Sequence, residues 1–331
     1  MATIKQVAQR AGVSPATVSR VLNDRATVDP SLVRRVRRAI EELGYQPSRT
    51  ARALRTGSRV WTLIISDIRN AFFGEVARGV EDAAQDADLA LVLCNTDENV
   101  GKERTYLELA VAERVAGVIL SPASWAETSV ERLTAAGIPV VLIDREIRAD
   151  NVDTVTIDNR AAARGATEHL LARRYRRIGC ICGPSTVTTA RDRRNGYRDA
   201  LQDAGLPIDE ELIREESYKT DGGERGAAAL LELAEPPDAL FVANGPQCAG
   251  AVRVLRERDV RVPTAIGLVA FDDEPWTSLT TPAISTVAQP AYAIGREAAA
   301  LLHKRMAGDD APPRRVLLNA QLRIRSSSSP E

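Results

Sequence analysis

The residues of this 331-residue chain whose types and spacing could do chemistry are mostly hydrogen-bonding groups, and they do not assemble into a catalytic set. Ser14-Pro15-Ala16-Thr17-Val18-Ser19-Arg20 gathers hydroxyls and a guanidinium over two helical turns, with side chains small enough to enter a groove about 12 Å wide. Asp272-Asp273 could do acid–base work, but no third group is in register to support it. Cys180 and Cys182 share one strand face. A metal or redox pair is one reading of them, and two small buried apolar residues is the other and better one. The four cysteines, Cys94, Cys180, Cys182 and Cys248, are scattered, as in a reducing compartment. Histidine occurs only at His169 and His303, which argues against a histidine triad or a histidine-ligated zinc. No phosphate loop or nucleophile elbow appears. The expectation is therefore no catalytic residue, no metal and no cofactor.

Charge is distributed unevenly. Residues 1–60 carry twelve Lys/Arg against four acids, whereas the remainder carries 32 against 41, and the total of −1 conceals this. A basic head on an acidic body suits a polyanion, most simply nucleic acid; a solvated basic helix face is the competing reading. The hydrophobic fraction of 44% and charged fraction of 27% exclude disorder as the main state. No apolar run reaches the roughly 18 residues of a membrane span, and the first residues lack the apolar core of a secretory signal. A cytoplasmic protein without membrane contact is expected.

The elements positioning the first cluster follow from local signals. Thr3 with Gln6 forms a capping-box pattern, and Ile4, Val7, Ala8 and Ala11 recur at helical spacing. Gly12 supplies the turn, and Ser14-Pro15 restarts a helix whose buried stripe is Val18, Val21 and Leu22. Two short helices joined this way form a helix-turn-helix. A third helix begins at Asp29-Pro30 and ends at Leu43-Gly44, with Leu32, Val33, Val36, Ile40 and Leu43 inward and Arg34, Arg35, Arg37 and Arg38 on the wet side. Residues 48–57 read as a basic helix too short to hold together alone.

From Trp61 onward, continuous apolar runs alternate with helical segments such as Phe72–Asp86, where Val76 and Val80 face inward. This is an α/β pattern, a doubly wound parallel sheet, and about 270 residues predicts two such lobes. Ligands in these sheets sit beyond the carboxyl ends of strands. Those ends carry Asp67, Asn70, Asp144, Asn244 and Asp272, with Phe72, Phe73, Trp125 and Trp276 nearby. Polar groups beside flat aromatic faces suit a small polar ring such as a sugar or nucleobase; core packing is the competing role of each aromatic.

The stretch Thr3–Ala8, Ala11–Asn23 and Ala39–Pro47 closely resembles the head of LacI/GalR-type transcriptional repressors. Likeness continues through Asn70-Ala71-Phe72-Phe73, Asp144-Arg145, Arg193–Tyr197, Ala243-Asn244, Phe271-Asp272-Asp273 and Thr281-Pro282 to a periplasmic-binding-protein type 1 body. The resemblance implies an all-α helix-turn-helix head (1–46), a hinge helix and linker (47–59) and an effector-binding and dimerisation body (60–331). Lobe one would span about 60–160 and 291–318, and lobe two about 161–290 and 319–331. It further implies a homodimer on a pseudo-palindromic double-stranded operator, regulated by a sugar-like effector in the interlobe cleft. DNA contacts would come from Thr3, Ser14, Pro15, Ala16, Thr17, Ser19, Arg20 and Asn23, and from Ser48, Arg49, Ala51 and Leu54 of the hinge, with Leu54 wedged between base steps. Pro15 and Ala16 lack side-chain donors, so readout there falls to apolar contact or DNA shape. Arg193, Asn244 and Asp272 match effector-holding positions; structural salt bridging is the other use of the arginine. Gly245, where the family carries an aspartate, and Ala270, where it carries a glycine, depart from pattern beside the cleft. A small-molecule receptor and an enzyme are the competing classes.

Overall fold

The computed structural model describes residues 2–22, 28–45, 58–148 and 151–329. The chain divides into two compact units, residues 1–58 and 59–331.

Three helices make the first unit: α1 (Ile4–Ala11), α2 (Pro15–Leu22) and α3 (Pro30–Leu43). Thr3 caps α1 through a complete capping box, its own N–H donating to Gln6 Oε1 at 2.8 Å. Gly12 ends α1 at φ 62°, a conformation glycine adopts without penalty. Ser14 Oγ accepts from the Thr17 N–H at 3.1 Å to start α2, and Asp29 caps α3 through the Ser31 N–H at 2.7 Å. The core is Val7, Ala8, Ala11, Val18, Val21, Val36 and Ala39. Two expectations need correcting. Leu43 is exposed, in the last turn of α3, where no described residue covers it. Arg35 is not merely solvated: its Nη2 donates to the carbonyl oxygens of Ala11 at 2.7 Å and Gly12 at 3.3 Å, neutralising the negative end of α1.

The second unit holds two six-stranded sheets. Its strands are β1 (Val60–Ile65), β2 (Ala90–Asn95), β3 (Gly117–Leu120), β4 (Val140–Ile143), β5 (Asp153–Ile157), β6 (Ile178–Cys182), β7 (Ile213–Glu215), β8 (Ala239–Val242), β9 (Gly267–Phe271), β10 (Ser285–Ala288), β11 (Arg315–Leu318) and β12 (Gln321–Arg323). Sheet one runs β11-β5-β4-β3-β1-β2, wholly parallel; sheet two runs β12-β10-β9-β8-β6-β7, with only β12 antiparallel. Helices α4 (Ala71–Asp86), α5 (Val100–Ala112) and α6 (Glu131–Ala135) follow the first three strands. They are succeeded by α7 (Asn159–Ala172), α8 (Thr188–Asp203), α9 (Thr220–Leu231), α10 (Gly245–Glu257), α11 (Pro275–Leu279) and α12 (Ala291–Met306). Central strands are buried on both faces, as their unbroken apolar sequences require. The edge strands are less covered: Val92 and Leu93 on β2 are 46% and 41% exposed, and Leu317 on β11 is 51% exposed.

The chain passes between the sheets three times, each time briefly. Asp158 alone links β5 to α7, which packs on α8; Gln289 and Pro290 link β10 to α12, which packs on α4; Asn319 and Ala320 link β11 to β12. Cys180 and Cys182 are buried side by side in the core, as two small apolar groups. Among the described residues no helix is long and apolar enough to cross a membrane.

Candidate functional site

In the first unit, Ser14, Pro15, Ala16 and Arg20 are exposed on one helix, with Thr17 and Ser19 half-buried beside them. The cap bond of Ser14 and its 3.0 Å contact with Thr17 Oγ1 fix both hydroxyls at the start of α2. Thr3 is exposed at the start of α1. Asn23, Ser48, Arg49, Ala51 and Leu54 lie outside the described residues.

The second unit holds an open cavity, about 350 Å³ with the space open to solvent included, beyond the carboxyl ends of the strands. Asp67, Asn70, Phe72, Phe73, Asp144, Arg193, Asn244 and Asp272 all line it. Trp276 does not: its indole packs on the core of sheet two and donates to Glu274 Oε2 at 2.8 Å, which turns it away.

Each polar wall group is held by its own element. Asn70 and Asn244 cap α4 and α10, accepting from Phe72 N at 3.0 Å and Gln247 N at 3.2 Å. Asp67 is clamped by Arg69, with contacts of 3.2 and 3.0 Å from Nε and Nη2. Arg193, buried on α8, donates to Asn159 Oδ1 at 2.8 Å and to the Ala243 carbonyl at 2.7 Å. Its guanidinium carbon lies 3.9 Å from the Phe271 ring centroid, a cation–π contact. None of these partners is a carboxylate, so the arginine keeps its charge available to the cavity. Burial raises the Asp144 carboxyl above the usual range, with Arg145 and Arg193 pulling it back down.

Arg145, which follows β4 directly after Asp144, lines the cavity too, and four further wall residues escaped sequence reasoning: Glu98, Thr189, Tyr218 and Gln289. Arg145 makes a bidentate pair with Glu98, at 2.6 and 2.7 Å, and donates to the Pro122 carbonyl at 3.1 Å. Burial pushes the Tyr218 hydroxyl up to about 12, which keeps it a neutral hydrogen-bonding group. Glu98, Tyr218 and Gln289 do follow strand ends, but of β2, β7 and β10, and the last two strands are too short and too polar to stand out. Among the described residues, Arg145 Nε, Tyr218 Oη and Gln289 Oε1 are buried without a hydrogen-bond partner. Arg145 Nε has only the Asp144 carboxylate, at 3.4 Å. Buried polar atoms short of good hydrogen bonds are costly, and their gathering on one cavity wall marks a place for a polar ligand.

The departure at Gly245 has a physical account. A Cβ there would run into the Glu274 carboxylate and come within 3.2 Å of Asp272 Cβ, so Glu274 fills the space a larger side chain needs. Ala270 is a fully buried strand residue of the sheet-two core and does not line the cavity.

Comparison with known proteins gives concordant matches. Residues 3–48 match the family described as bacterial regulatory proteins, lacI family, and residues 167–328 match a periplasmic binding protein-like domain. The ribose operon repressor of Halalkalibacterium halodurans is 38% identical over 92% of this chain and 91% of its own length. A transcriptional regulator solved as a complex with cellobiose is 32% identical, with TM-score 0.76 over 99% of this chain and 100% of that one. The lac repressor dimer, solved with operator and an anti-inducer, has TM-score 0.81 at 24% identity over 99% of both chains, a likeness of fold.

Proposed function

The chain belongs to the lacI family of bacterial regulatory proteins, which are DNA-binding transcription regulators, and from that premise we propose that it is a repressor whose operator binding is set by a small neutral sugar. Residues 1–46 are read as the DNA-reading head, 47–59 as the hinge and 60–331 as the effector and dimerisation body. The lobes follow the two sheets, 60–160 with 291–318 and 161–290 with 319–331. In the head, Thr3, Ser14, Thr17, Ser19, Arg20 and Asn23 would hold phosphates and base edges, Pro15 and Ala16 adding apolar contact. Ser48, Arg49, Ala51 and Leu54 would order in the minor groove when two copies pair. The exposed apolar residues Val92 and Leu93 on edge strand β2 support pairing through this face.

The observation that carries the effector reading is a cavity wall that bears Asp67, Asp144, Asp272 and Arg193 together with buried polar atoms left short of good hydrogen bonds, Gln289 Oε1 and Arg145 Nε among them. Carboxylates outnumber guanidiniums there, which favours a neutral polyhydroxyl over a phosphorylated sugar. With a ribose operon repressor among the relatives, D-ribose is the first candidate. An enzymatic role has no support in the paired carboxylates. Asp272 accepts from Gly245 N and Gln289 Nε2, whereas Asp273 is tied to Thr286 and Arg325. The test is binding of the full chain to its own promoter region, against random duplex at fixed salt, with and without D-ribose. Preferential binding that ribose shifts five- to 150-fold, or about 1–3 kcal/mol, is expected. No preference in either condition overturns the proposal.

A further inference from the structure

We propose that Trp125 is a latch across the cleft, a positioning residue that holds the sheet-two wall of the effector cavity against the sheet-one side. Its role in ligand binding rests on the effector reading above; its role as a latch does not. Trp125 lies in the loop between β3 and α6, half-buried, and belongs to none of the apolar clusters. Its surroundings are cationic and backbone groups. The Arg148 guanidinium carbon sits 5.5 Å from the ring centroid and that of Arg191 5.2 Å. Arg148 follows β4 on the same side of the cleft as Trp125, whereas Arg191 stands on α8 across it. The Trp125 N–H donates to the Thr186 carbonyl at 3.0 Å, and its carbonyl accepts from Arg148 N at 3.1 Å. One more bond crosses on this rim, from Glu146 N to Thr188 Oγ1 at 3.1 Å.

What the latch grips is the cavity wall itself. Thr189 and Arg193 line the cavity from α8, and Val187 and Ala190 pack on Tyr218, whose ring lines it as well. What presents the latch is rigid. The buried Glu103 carboxylate accepts from Ala123 N and from Thr128 Oγ1, each at 2.6 Å, and braces the Trp125 loop from below. A ring that attracts a cation from each side of the cleft, with main-chain bonds at its own backbone, stabilises the closed arrangement and is lost on opening.

The test is hydrogen exchange of the full ligand-free chain. In Trp125→Ala, the amides of Glu146 and of residues 188–193 should exchange about fivefold faster or more, since one exposed cation–π contact is worth roughly two- to fivefold. Trp125→Phe should stay within about twofold of the parent. Arg191→Met, which leaves Trp125 in place, should accelerate the same amides about two- to fivefold. The Ala123 and Ser124 amides, bonded to Glu103 and Thr128, should not change in any variant. Unaltered exchange across the cleft in Trp125→Ala overturns the latch. So does an effect in which Arg191→Met is silent and Ala123 and Ser124 open instead, which would mean loop packing alone. In parallel, D-ribose affinity should fall by the same factor in Trp125→Ala. If D-ribose fails to bind even the parent chain, the sugar reading falls while the exchange result still decides the latch.

Discussion

Asp144 and Asp272 occupy the same place in the two sheets. Each is the first residue after its strand, β4 or β9, and each adopts a left-handed backbone, at φ 63° and 70°. Each N–H donates at 3.0 Å to the neighbouring strand, to Val155 O in one case and Val287 O in the other. Aspartate tolerates this conformation better than most residues, and the turn aims both carboxylates into one cavity. The likeness ends at their partners. Asp272 accepts from Gly245 N at 3.0 Å and Gln289 Nε2 at 2.7 Å, whereas Asp144 has the Arg145 Nε at 3.4 Å.

The two carboxylates should therefore not be equivalent. Asp272→Ala strips two donors of their acceptor and is expected to weaken effector binding at least tenfold, about 1.4 kcal/mol. Asp144→Ala leaves Arg145 paired with Glu98 and should cost less. Titration calorimetry with D-ribose decides, and equal losses would contradict the asymmetry.

Gly245 should be replaceable only at the expense of Glu274. Gly245→Ala displaces a flexible carboxylate and its bond to Trp276, which should cost about 1 kcal/mol or less. Gly245→Asp adds a charge beside Asp272 and Glu274, whose own carboxyl burial already pushes up. Thermal melting should show a clearly larger loss for the aspartate, much of it relieved by adding Glu274→Gln.

Glu103 should give stability an identifiable pH dependence. Burial raises its carboxyl above the ordinary value of 4.5, although the Thr128 and Ala123 bonds oppose this. A group raised in the folded state contributes stability that is fully present below its unfolded value and is lost as pH rises through the folded one. Glu103→Gln keeps an acceptor for Ala123 and offers a donor to Thr128 without a charge. Its melting temperature should fall less than the parent's as pH rises from about 4.5 through the raised folded-state value, and parallel curves would refute the assignment.

Arg20 and Arg35 separate recognition from architecture in the head. Arg20→Ala should weaken operator binding by roughly 1–3 kcal/mol and leave the melting of the head unchanged. Arg35→Met removes the donor to the Ala11 and Gly12 carbonyls and should lower head stability by about 1 kcal/mol as well as operator affinity. Calorimetry and anisotropy on the full chain distinguish the two.

Sequence reasoning succeeded where structure is decided locally. The Thr3–Gln6 box, the Gly12 turn and the Asp29 cap are contacts within three or four residues, and all appear as expected. The apolar strands and the polar residues at their ends were equally legible, because a strand buried on both faces has an unbroken signature. β5, by contrast, reads Asp-Thr-Val-Thr-Ile and is nonetheless buried throughout, its Asp153 carboxylate satisfied by Arg305 and the Arg314 N–H. Such strands hide because a distant partner pays for their polarity. Tyr218 and Gln289 were missed because they follow β7 and β10, strands of three and four residues with mixed polarity, and Trp276 was misplaced because Glu274, two residues earlier, captures its indole.

The three passages between the sheets carry a mechanical consequence. Tethers of one or two residues, Asp158, Gln289-Pro290 and Asn319-Ala320, leave little slack for the halves to slide past one another, and rotation about the tethers is the easier motion. Gln289 is part of one tether and also faces the cavity. A change at Gln289 is therefore felt at a junction between the two sheets, where a small rotation moves the outer edges furthest.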